Sequence, residues 1–452
     1  MMLNLRETAL AVSGHLAGDG DIAFSRVTTD SRDIRAGDLF IALKGERFDG
    51  HAFAADALAR GAVAVVVEAG LAGGNQIVVA DTLVALGVLA RYWRNKIAPV
   101  VVAITGSNGK TTVKEMTAAV LAHCMGSEAV LATQGNLNNH IGVPLTLLSL
   151  RAGHRYAVVE MGMNHFGEID YLTRMAEPDV ALVNNAGSAH LEALGSVEGV
   201  ARAKGEIFAG LRKDGTAVIN ADDAYAELWA RLANGNKQVT FGVKTAEVCA
   251  REVTLDAAES RFILSTPHAE AQLLLPVPGM HNISNALATT AIAHALGIPL
   301  NRIADGLESY HGVKGRLQAK VAFNGARLID DTYNANPDSM KAAIDVLVNA
   351  GSASVLVLGD IGEIGSDGPA LHAEIGAYAK ARGVAALYTL GEQMQHAADA
   401  FAGARHFDDV DALIAVLRAS ITADSAVLVK GSRFMRMERV VDALCADPQG
   451  GK

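Results

Sequence analysis

The chain has 452 residues and a mass of 47.1 kDa, a length that predicts about three domains at ~150 residues each. Its 39 Lys and Arg residues against 49 Asp and Glu residues give a net charge of −10, which argues against a general nucleic-acid binder because such proteins present a basic face. A small anionic ligand is not excluded, since its site needs only a few cations and backbone N–H groups. The composition, half hydrophobic and with 45 glycines, excludes a disordered chain and fits helices packed on parallel sheets.

Neither the N-terminal segment nor the spacing of the cysteines is typical of an exported protein. The opening MMLNLRETAL contains Arg6 and Glu7 and no apolar core, so no signal peptide is predicted. The longest apolar stretches are too short or too interrupted to cross a bilayer. Cys124, Cys249 and Cys445 are far apart and fit neither a disulfide framework nor a thiolate metal site. We therefore expect a cytoplasmic protein without membrane insertion, acting as a monomer.

The first predicted domain covers residues 1–97. It holds short strand-like segments and helices, and it ends in ARGAVAVVVE, QIVVA and a helix predicted from Thr82 to Lys96. This mixture predicts a small α/β domain.

The second predicted domain covers residues 98–313. It opens with an apolar run, Pro99 to Thr105, that is typical of a buried parallel strand. The strand-like segments RYAVVEMG, EPDVALVNN and GTAVINADD then alternate with helical stretches, which predicts a doubly wound, mostly parallel sheet. From Val239 to Pro276 short alternating segments predict a small antiparallel addition, and an apolar helix from about Asn282 to Leu296 follows it.

The third predicted domain covers residues 314–452. The segments LIDD, SASVLVLGD, VAALYTLG and SAVLVKGS are strand-like, and each precedes a helical stretch. This alternation predicts a Rossmann-like α/β domain, so the fold class expected for the whole chain is α/β in three domains.

The clearest chemical motif is the glycine-rich segment from Thr105 to Thr112, TGSNGKTT, between the buried strand and the helical VKEMTAAVLAH. A strand, a glycine-rich turn and a helix N-terminus make a phosphate cradle, in which Lys110 reaches the terminal phosphates and Thr111 can bind Mg²⁺. The common pattern has glycine where this chain has Ile104. The motif predicts that ATP and Mg²⁺ are bound by a set of residues: Gly106, Ser107, Asn108, Gly109, Lys110, Thr111 and Thr112.

Three further residues are candidates for the same site. Glu160 ends the apolar strand YAVVE, at the strand end where open α/β sheets place ligands, and could hold the metal. His190 follows another apolar strand in the loop NNAGSAH. Lys204 lies on a predicted helix in the middle of an apolar arc, where a lysine is rarely tolerated without a partner or a changed charge state. Snorkelling of Lys204 to the helix edge is the alternative.

Taken in order, TGSNGKTT, VVEMG, NNAGSAHLE, ARAKGEIF, PGMHNISNALA, VKGR and DDTYNANPDSM resemble the Mur ligase family of peptidoglycan synthesis over essentially the whole chain. The segments TDSR, GDLF and DGH are similar both to the members that add the third residue and to those that add D-alanyl-D-alanine. NLNNHIGVPLTLL and YNANP favour the second group, which joins D-alanyl-D-alanine to UDP-N-acetylmuramoyl-tripeptide. The Asp-Asn-Pro-Arg signature of the diaminopimelate-adding members is absent. In LGDIGEIG, Ile361 and Ile364 stand where this subgroup usually has Met and Leu.

The resemblance implies a reaction through an acyl phosphate made from ATP and a peptide carboxylate. It implies catalytic roles for Lys110, Glu160, His190 and Lys204, with Thr111, Glu160, His190 and a carbamate on Lys204 as metal ligands. Adenine, phosphate and ribose contacts are implied for Asn282, Arg316 and Asp331 respectively. Contacts to the UDP-sugar peptide are implied for a larger set: Ser31, Arg32, Phe40, Asp49, Gly50, His51, Asn138, Asn139, Tyr333, Asn334 and Asn336.

Other functions remain open from the sequence. A sibling amide ligase could add the third amino acid instead, and a folylpolyglutamate synthetase is disfavoured by TDSR and FDGH. A P-loop NTPase acting as a switch or motor would need a Walker-B aspartate on a hydrophobic strand and a GTPase motif that reads the base, and we find neither in the sequence. A nucleotide-sugar binding protein without catalysis would leave Glu160, His190 and Lys204 unexplained.

Overall fold

The computed structural model describes residues 1–45, 48–189, 191–351 and 353–445. It contains one mostly parallel sheet for each predicted domain and a small antiparallel sheet in the middle of the chain. Within these residues, no helix is both long and apolar enough to cross a membrane.

The N-terminal sheet has the strand order β1-β5-β4-β3-β2, with β1 antiparallel to the rest. The helix predicted from Thr82 is confirmed as α3, and Asp81 caps it by accepting the Leu83 and Val84 N–H groups. The elements of this region are α1 (Leu5–Ala11), β1 (His15–Ala17), β2 (Arg26–Thr28), β3 (Asp38–Ile41), α2 (Ala54–Ala59), β4 (Ala64–Val67), β5 (Gln76–Val78) and α3 (Thr82–Ile97).

The central sheet is parallel throughout, in the order β11-β10-β9-β6-β8-β7. The buried strand predicted from Pro99 is β6, at the centre of this sheet. The elements of its parallel part are β6 (Val100–Thr105), α4 (Lys110–Met125), β7 (Val130–Ala132), α5 (Gly142–Leu148), β8 (Tyr156–Glu160), α6 (Glu168–Ala176), β9 (Val180–Val183), α7 (Leu191–Leu194), α8 (Val197–Gly205), β10 (Thr216–Asn220), α9 (Ala226–Leu232) and β11 (Lys237–Phe241).

The antiparallel addition begins later than predicted. Val239 lies in β11, which pairs parallel to β10 at the edge of the central sheet. The addition itself runs in the order β12-β13-β14. The remaining elements of the central region are β12 (Cys249–Leu255), β13 (Ser260–Thr266), β14 (Ala269–Leu275), α10 (Met280–Ala295) and α11 (Leu300–Glu308).

The C-terminal sheet has the order β15-β16-β20-β17-β18-β19, in which only the edge strand β15 is antiparallel. This is the Rossmann-like arrangement expected from the sequence, with β15 and β19 added to the predicted strands. Its elements are β15 (Gln318–Val321), β16 (Arg327–Asp331), α12 (Pro337–Asn349), β17 (Ala353–Gly359), α13 (Gly368–Ala381), β18 (Ala386–Leu390), α14 (Gln395–Ala400), β19 (Arg405–Phe407), α15 (Val410–Ser420), β20 (Ser425–Lys430) and α16 (Glu438–Leu444).

The N-terminal and central regions share one apolar core. The cluster extends from Leu5 and Leu39 in the first sheet through α3 to Val159 and Trp229 in the second. Arg94 on α3 is fully buried and donates to the carbonyl oxygens of Ala176 and Glu177 at the end of α6, over 2.7 and 2.9 Å. The C-terminal sheet has apolar clusters of its own. The domain boundaries proposed at residues 97 and 313 fall between the sheets. The boundary at residue 97 does not separate two apolar cores, because the N-terminal and central regions share one.

Candidate active site

The phosphate loop is built where β6 ends and α4 begins. Gly109 has a φ of 78°, and a Cβ there would lie 2.3 Å from the Asn285 side-chain oxygen, so backbone conformation and space both require glycine. Lys110 folds its Nζ back over the loop, donating to the Gly106 and Ser107 carbonyl oxygens over 2.6 and 3.2 Å. Burial lowers the pKa of Lys110, an effect that the negative charge of Glu160 opposes.

A loop after β9 supports the phosphate loop from the side. Asn185 accepts the Asn108 N–H through its side-chain oxygen over 2.8 Å, and the Asn184 amide donates to the Asn108 carbonyl oxygen over 2.9 Å. Gly187 N–H donates to Ser107 Oγ over 2.9 Å. Sequence reasoning noticed this loop only for His190, which lies outside the described residues. Asn184 and Asn185 directly follow the apolar segment VALV. This pair of asparagines could have indicated the supporting role from the sequence.

Glu160 ends β8 beside β6 and is 2% exposed. Its Oε1 accepts the side-chain amide of Asn138 over 2.9 Å, and its backbone N–H donates to Thr133 Oγ1 over 3.0 Å. Among the described residues, the buried Oε2 has no hydrogen-bond partner. Burying a carboxylate oxygen without a hydrogen-bond partner raises the free energy of the folded protein. This atom is therefore available to bind a cation.

Lys204 lies in the last turn of α8 and is 1% exposed, so it is buried as its position in the apolar arc predicts. Within the described part of the chain, its ammonium makes no hydrogen bond or ion pair. Burial first, and then the positive charge of Lys110, lower its pKa well below the ordinary lysine value. Two lysines therefore approach the same buried region from α4 and α8, and that region can accept an additional anion.

The C-terminal region contacts the phosphate loop directly. Arg316 donates to Thr111 Oγ1 over 2.9 Å and lies 4.3 Å from the centre of the Tyr333 ring. Asn336, which caps α12, donates to the side-chain oxygen of Asn108 over 2.7 Å. These contacts join the C-terminal region to the phosphate loop of the central region.

The nucleotide residues implied by the resemblance lie close to partners that the sequence did not identify. Asp331 at the end of β16 forms a 2.6 Å ion pair with Lys430, which ends the neighbouring β20 and is 3% exposed. Asn282 accepts the side-chain amide of Asn285 over 3.3 Å, one turn along α10. Lys430 is a charged residue at the end of the apolar strand SAVLVK. That position could have indicated from the sequence that Lys430 belongs to the site.

These residues line one cavity of about 710 Å³. It contacts both the second and third domains, and most of the predicted residues meet in it. The predicted residues in its wall are Ser107, Asn108, Gly109, Lys110, Thr111, Thr112, Asn138, Asn139, Glu160, Lys204, Asn282, Arg316, Asp331, Tyr333, Asn334 and Asn336.

The residues predicted in the N-terminal domain lie outside this cavity. Arg32 is exposed and forms an ion pair with Asp30 over 2.7 Å. His51 is fixed between Asp49, 2.6 Å from its Nδ1, and the Glu68 N–H, which donates to its Nε2 over 2.9 Å. These contacts hold the loops that follow β2 and β3.

Burial and packing limit what Phe40 and Gly50 can offer a substrate. The Phe40 side chain is 1% exposed and packs in the apolar core of the first sheet, so it has no surface for a substrate. A Cβ on Gly50 would lie 2.6 Å from the Leu43 carbonyl oxygen, which explains this glycine by packing. A substrate contact by either residue is restricted to backbone atoms.

The metal site implied by the sequence is only partly visible. Among the described residues, no three His, Cys, Asp or Glu side chains gather closely enough to hold a metal ion. Thr111 Oγ1 and the unpartnered Glu160 Oε2 are the oxygen donors of the expected set, and they are of the kind that Mg²⁺ prefers.

Comparison with known proteins matches every region of the chain. Sequence models described as the Mur ligase family catalytic domain, the Mur ligase middle domain and the Mur ligase glutamate ligase domain match residues 23–96, 104–293 and 315–433. A UDP-N-acetylmuramoyl-tripeptide–D-alanyl-D-alanine ligase of Haemophilus influenzae is 42% identical over 98% of this chain and 99% of its own.

Solved structures of the same family are also similar to this chain. A MurF crystal structure from Acinetobacter baumannii is 38% identical, with a TM-score of 0.92 over 97% of this chain and 98% of that one. MurF ligase of Thermotoga maritima in complex with ADP is 27% identical, with a TM-score of 0.84 over 94% of this chain and 97% of that one. The likeness therefore extends over nearly the whole chain and is not confined to the phosphate loop.

Proposed function

Because this chain belongs to the Mur ligase family, we propose that it is the ATP-dependent ligase that joins D-alanyl-D-alanine to UDP-N-acetylmuramoyl-tripeptide. The reaction forms an amide bond and releases ADP and phosphate, in cytoplasmic precursor synthesis by a monomer. The observation that carries this proposal is one cavity in which a phosphate loop, a buried carboxylate and a buried lysine face residues of the third domain. The H. influenzae relative is named for this reaction.

The first step must bring two anions together, since the peptide carboxylate attacks the terminal phosphate of ATP. Lys110, held at the phosphate loop, offsets the negative charge that accumulates there. The amine of the dipeptide then attacks the acyl phosphate, and phosphate leaves. Arg316 and Asn336 contact the loop from the third domain and border the same cavity.

Mg²⁺ fits the oxygen donors of the site, and when bound it would neutralise phosphate charge. We assign Thr111 and Glu160 to hold it, because the buried Glu160 Oε2 otherwise lacks a partner. His190 remains in the proposal on the basis of the resemblance alone, since it lies outside the described residues. Asn138 orients the Glu160 carboxylate through its 2.9 Å hydrogen bond.

Lys204 is proposed to carry a carbamate. Its lowered pKa increases the fraction of neutral amine, whose nitrogen can add to the carbon of CO₂ with release of one proton. The product is an anion on Lys204, in the same cavity as Lys110. Such a group can complete the oxygen ligands of the metal.

ATP is proposed to lie between the second and third domains. Asn282 and its neighbour on α10 are placed for adenine, Arg316 for the phosphates, and Asp331 for the ribose. The ion pair between Asp331 and Lys430 fixes the carboxylate at the cavity wall. Arg316 must exchange its hydrogen bond with Thr111 for phosphate oxygens when nucleotide enters.

The uridine diphosphate end of the substrate is proposed to bind the N-terminal domain through Ser31, Arg32, Asp49 and His51. The loops that carry them follow β2 and β3, which are adjacent parallel strands, so both loops lie at the same sheet edge. Arg32→Gln should weaken UDP-sugar binding without changing ATP affinity. An unchanged UDP-sugar affinity would place the site elsewhere.

Phosphate release tests the whole proposal. With ATP, Mg²⁺ and UDP-N-acetylmuramoyl-tripeptide, release should depend on added D-alanyl-D-alanine. Dependence on a single amino acid with the dipeptide substrate would indicate the sibling ligase instead. Release that needs neither acceptor nor UDP-sugar would indicate an NTPase of another kind.

A further inference from the structure

Three asparagine side chains link the phosphate loop to helix α10. Asn184, directly after β9, donates from its side-chain amide to the Asn108 carbonyl oxygen over 2.9 Å and to Asn285 Oδ1 over 3.1 Å. Asn285 donates to Asn282 Oδ1 over 3.3 Å, and Asn282 donates to the Pro278 carbonyl oxygen over 2.8 Å. We call the side chains of Asn184, Asn285 and Asn282 the amide chain.

The direction of the amide chain is fixed at both ends. All three side chains are buried, and the groups at the two ends are backbone carbonyl oxygens, which accept hydrogen bonds and donate none. Asn184 must therefore turn its NH₂ group toward Asn108. Asn285 and then Asn282 must each present an oxygen to the preceding amide. Turning one amide over would bring two buried oxygens together, which costs free energy.

Asn184 is itself held in place from several sides. Its backbone N–H donates to the Thr105 carbonyl oxygen over 2.9 Å, and its carbonyl oxygen accepts the Asn220 side-chain amide over 2.9 Å. An added Cβ on Gly106 would lie 2.9 Å from the Asn184 Cβ, and one on Gly109 would lie 2.5 Å from its Nδ2. Over the ranges that the structure describes, Asn184 Oδ1 has no hydrogen-bond partner. The bonds that its NH₂ group donates therefore set the orientation of this amide.

The α10 end of the amide chain suits a purine with an amino group. Asn282 and Asn285 line the cavity, where adenine is proposed to bind. A primary amide offers both an oxygen and an N–H, which is complementary to the N6–H and N7 of adenine. A 6-oxo purine has an acceptor oxygen in place of the amino group. A fixed amide cannot turn over to donate to that oxygen, so it discriminates against 6-oxo bases.

We propose that Asn184 is a positioning residue for base selectivity. Through Asn285 it fixes the amides that read the base, so the site takes 6-amino purine nucleotides in preference to 6-oxo purine nucleotides. This inference rests on the proposed function, which places adenine at α10. The same NH₂ group serves the Asn108 carbonyl oxygen and the base site. The phosphate loop and the base site therefore share one side chain.

Asn184→Asp tests the direction of the amide chain, because a carboxylate has nearly the same size and no N–H to donate. Asn285 then turns its NH₂ group toward the carboxylate, and the order of donors and acceptors reverses. Calorimetric titration with ADP and with IDP measures the preference for the 6-amino base. We expect the parent to bind ADP about ten- to a hundredfold more tightly than IDP. Asn184→Asp should lose most of that ratio.

Asn185→Asp is the matched control. Asn185 supports the same loop, since it accepts the Asn108 N–H over 2.8 Å and donates to the Asn108 carbonyl oxygen over 3.1 Å, but it is not part of the amide chain. This variant should weaken binding of ADP and IDP alike and keep their ratio. Asn184→Leu adds no buried charge and provides a second test if Asn184→Asp does not fold. It should also lower the ratio, because Asn285 then lacks the donor that orients it.

Three results would overturn the inference: no preference for ADP in the parent, a parental ratio in a folded Asn184 variant, or an equal fall of the ratio in Asn185→Asp. The titrations contain neither UDP-sugar nor acceptor, so they do not depend on which amine the enzyme ligates. If the ratios behave as expected but phosphate release does not respond to D-alanyl-D-alanine, the acceptor in the proposed function is wrong and the role of Asn184 stands.

Discussion

Asn138 donates its side-chain amide to the buried carboxylate of Glu160 over 2.9 Å. The two residues lie 22 positions apart in the chain, and Asn138 precedes α5 whereas Glu160 ends β8. The resemblance implied substrate binding for Asn138, and the structure adds this contact with Glu160. Since groups that orient a metal ligand affect metal affinity strongly, the pair gives the first prediction.

Asn138→Leu keeps the approximate size of the side chain and removes the donor to Glu160. We expect activity to fall about ten- to a hundredfold, with a higher Mg²⁺ concentration at half-maximal rate. Steady-state rates at a series of Mg²⁺ concentrations measure this. Asn139→Leu would be a poor control, since the Asn139 side-chain oxygen accepts the Ile141 and Gly142 N–H groups at the start of α5. Asn234→Leu, at an exposed position, is the control. A normal Mg²⁺ dependence in Asn138→Leu would contradict the prediction.

Lys110→Ala should abolish turnover while the fold remains intact. Loss of a positioned cation at the transferred phosphate typically costs ~10²–10³ in rate or more. Lys237→Ala, at an exposed strand end, serves as the control for loss of one lysine. Phosphate release and circular dichroism of both variants measure the effect. Activity of Lys110→Ala near that of the parent would exclude the phosphate-loop assignment.

Lys204→Ala should also lose activity, because it removes the site of the proposed carbamate. Short carboxylic acids should restore part of it by occupying the same space, and Lys204→Glu should retain a trace. In the parent enzyme, ¹³CO₂ should produce a carbamate signal by NMR that Lys204→Ala lacks. An active enzyme without that signal would show that Lys204 acts unmodified.

Arg94→Met should lower the free energy of unfolding by about 3 kcal/mol. The change leaves the Ala176 and Glu177 carbonyl oxygens at the end of α6 without their charged donor. Arg91→Met, one turn earlier on α3, removes only an exposed ion pair with Glu177 and should cost less than about 1 kcal/mol. Urea unfolding measures both, and equal losses would argue against a special role for Arg94.

His372 makes stability depend on pH. It is fully buried; its Nδ1 lies 2.7 Å from the Gly368 carbonyl oxygen and its Nε2 accepts the Ile361 N–H over 3.0 Å. This arrangement requires the neutral ring, and burial lowers the pKa of His372. As pH falls below about 6.5, the unfolded chain gains a proton that the folded protein does not, so stability decreases.

The measurement is urea unfolding at pH 7.5, 6.5 and 5.5. The parent protein should lose free energy of unfolding as the pH falls. In His372→Gln this loss should be smaller by up to ~1.4 kcal/mol per pH unit, the linkage value for uptake of one proton. His268→Gln, at an exposed position, should leave the pH dependence as in the parent. A parallel loss in the parent and His372→Gln proteins would exclude His372 as its source.

Local sequence determined the parts of the site that depend on neighbouring residues in the chain. The phosphate loop follows from one strand, one turn and one helix start, and the burial of Lys204 follows from helical periodicity. The alternation of strands and helices determined the α/β class, because each apolar strand needs cover on both faces. The strand order and the start of the antiparallel addition were not accessible in this way.

Only the tertiary structure decided the contacts between distant segments. The Asp331–Lys430 pair joins residues 99 positions apart, and the contacts of Arg316 and Asn336 join the third domain to the phosphate loop. Burial of Phe40 likewise depends on which strands are neighbours. Periodicity reports which face of an element is apolar, but not which other element covers it, because that choice is made by packing of the whole chain.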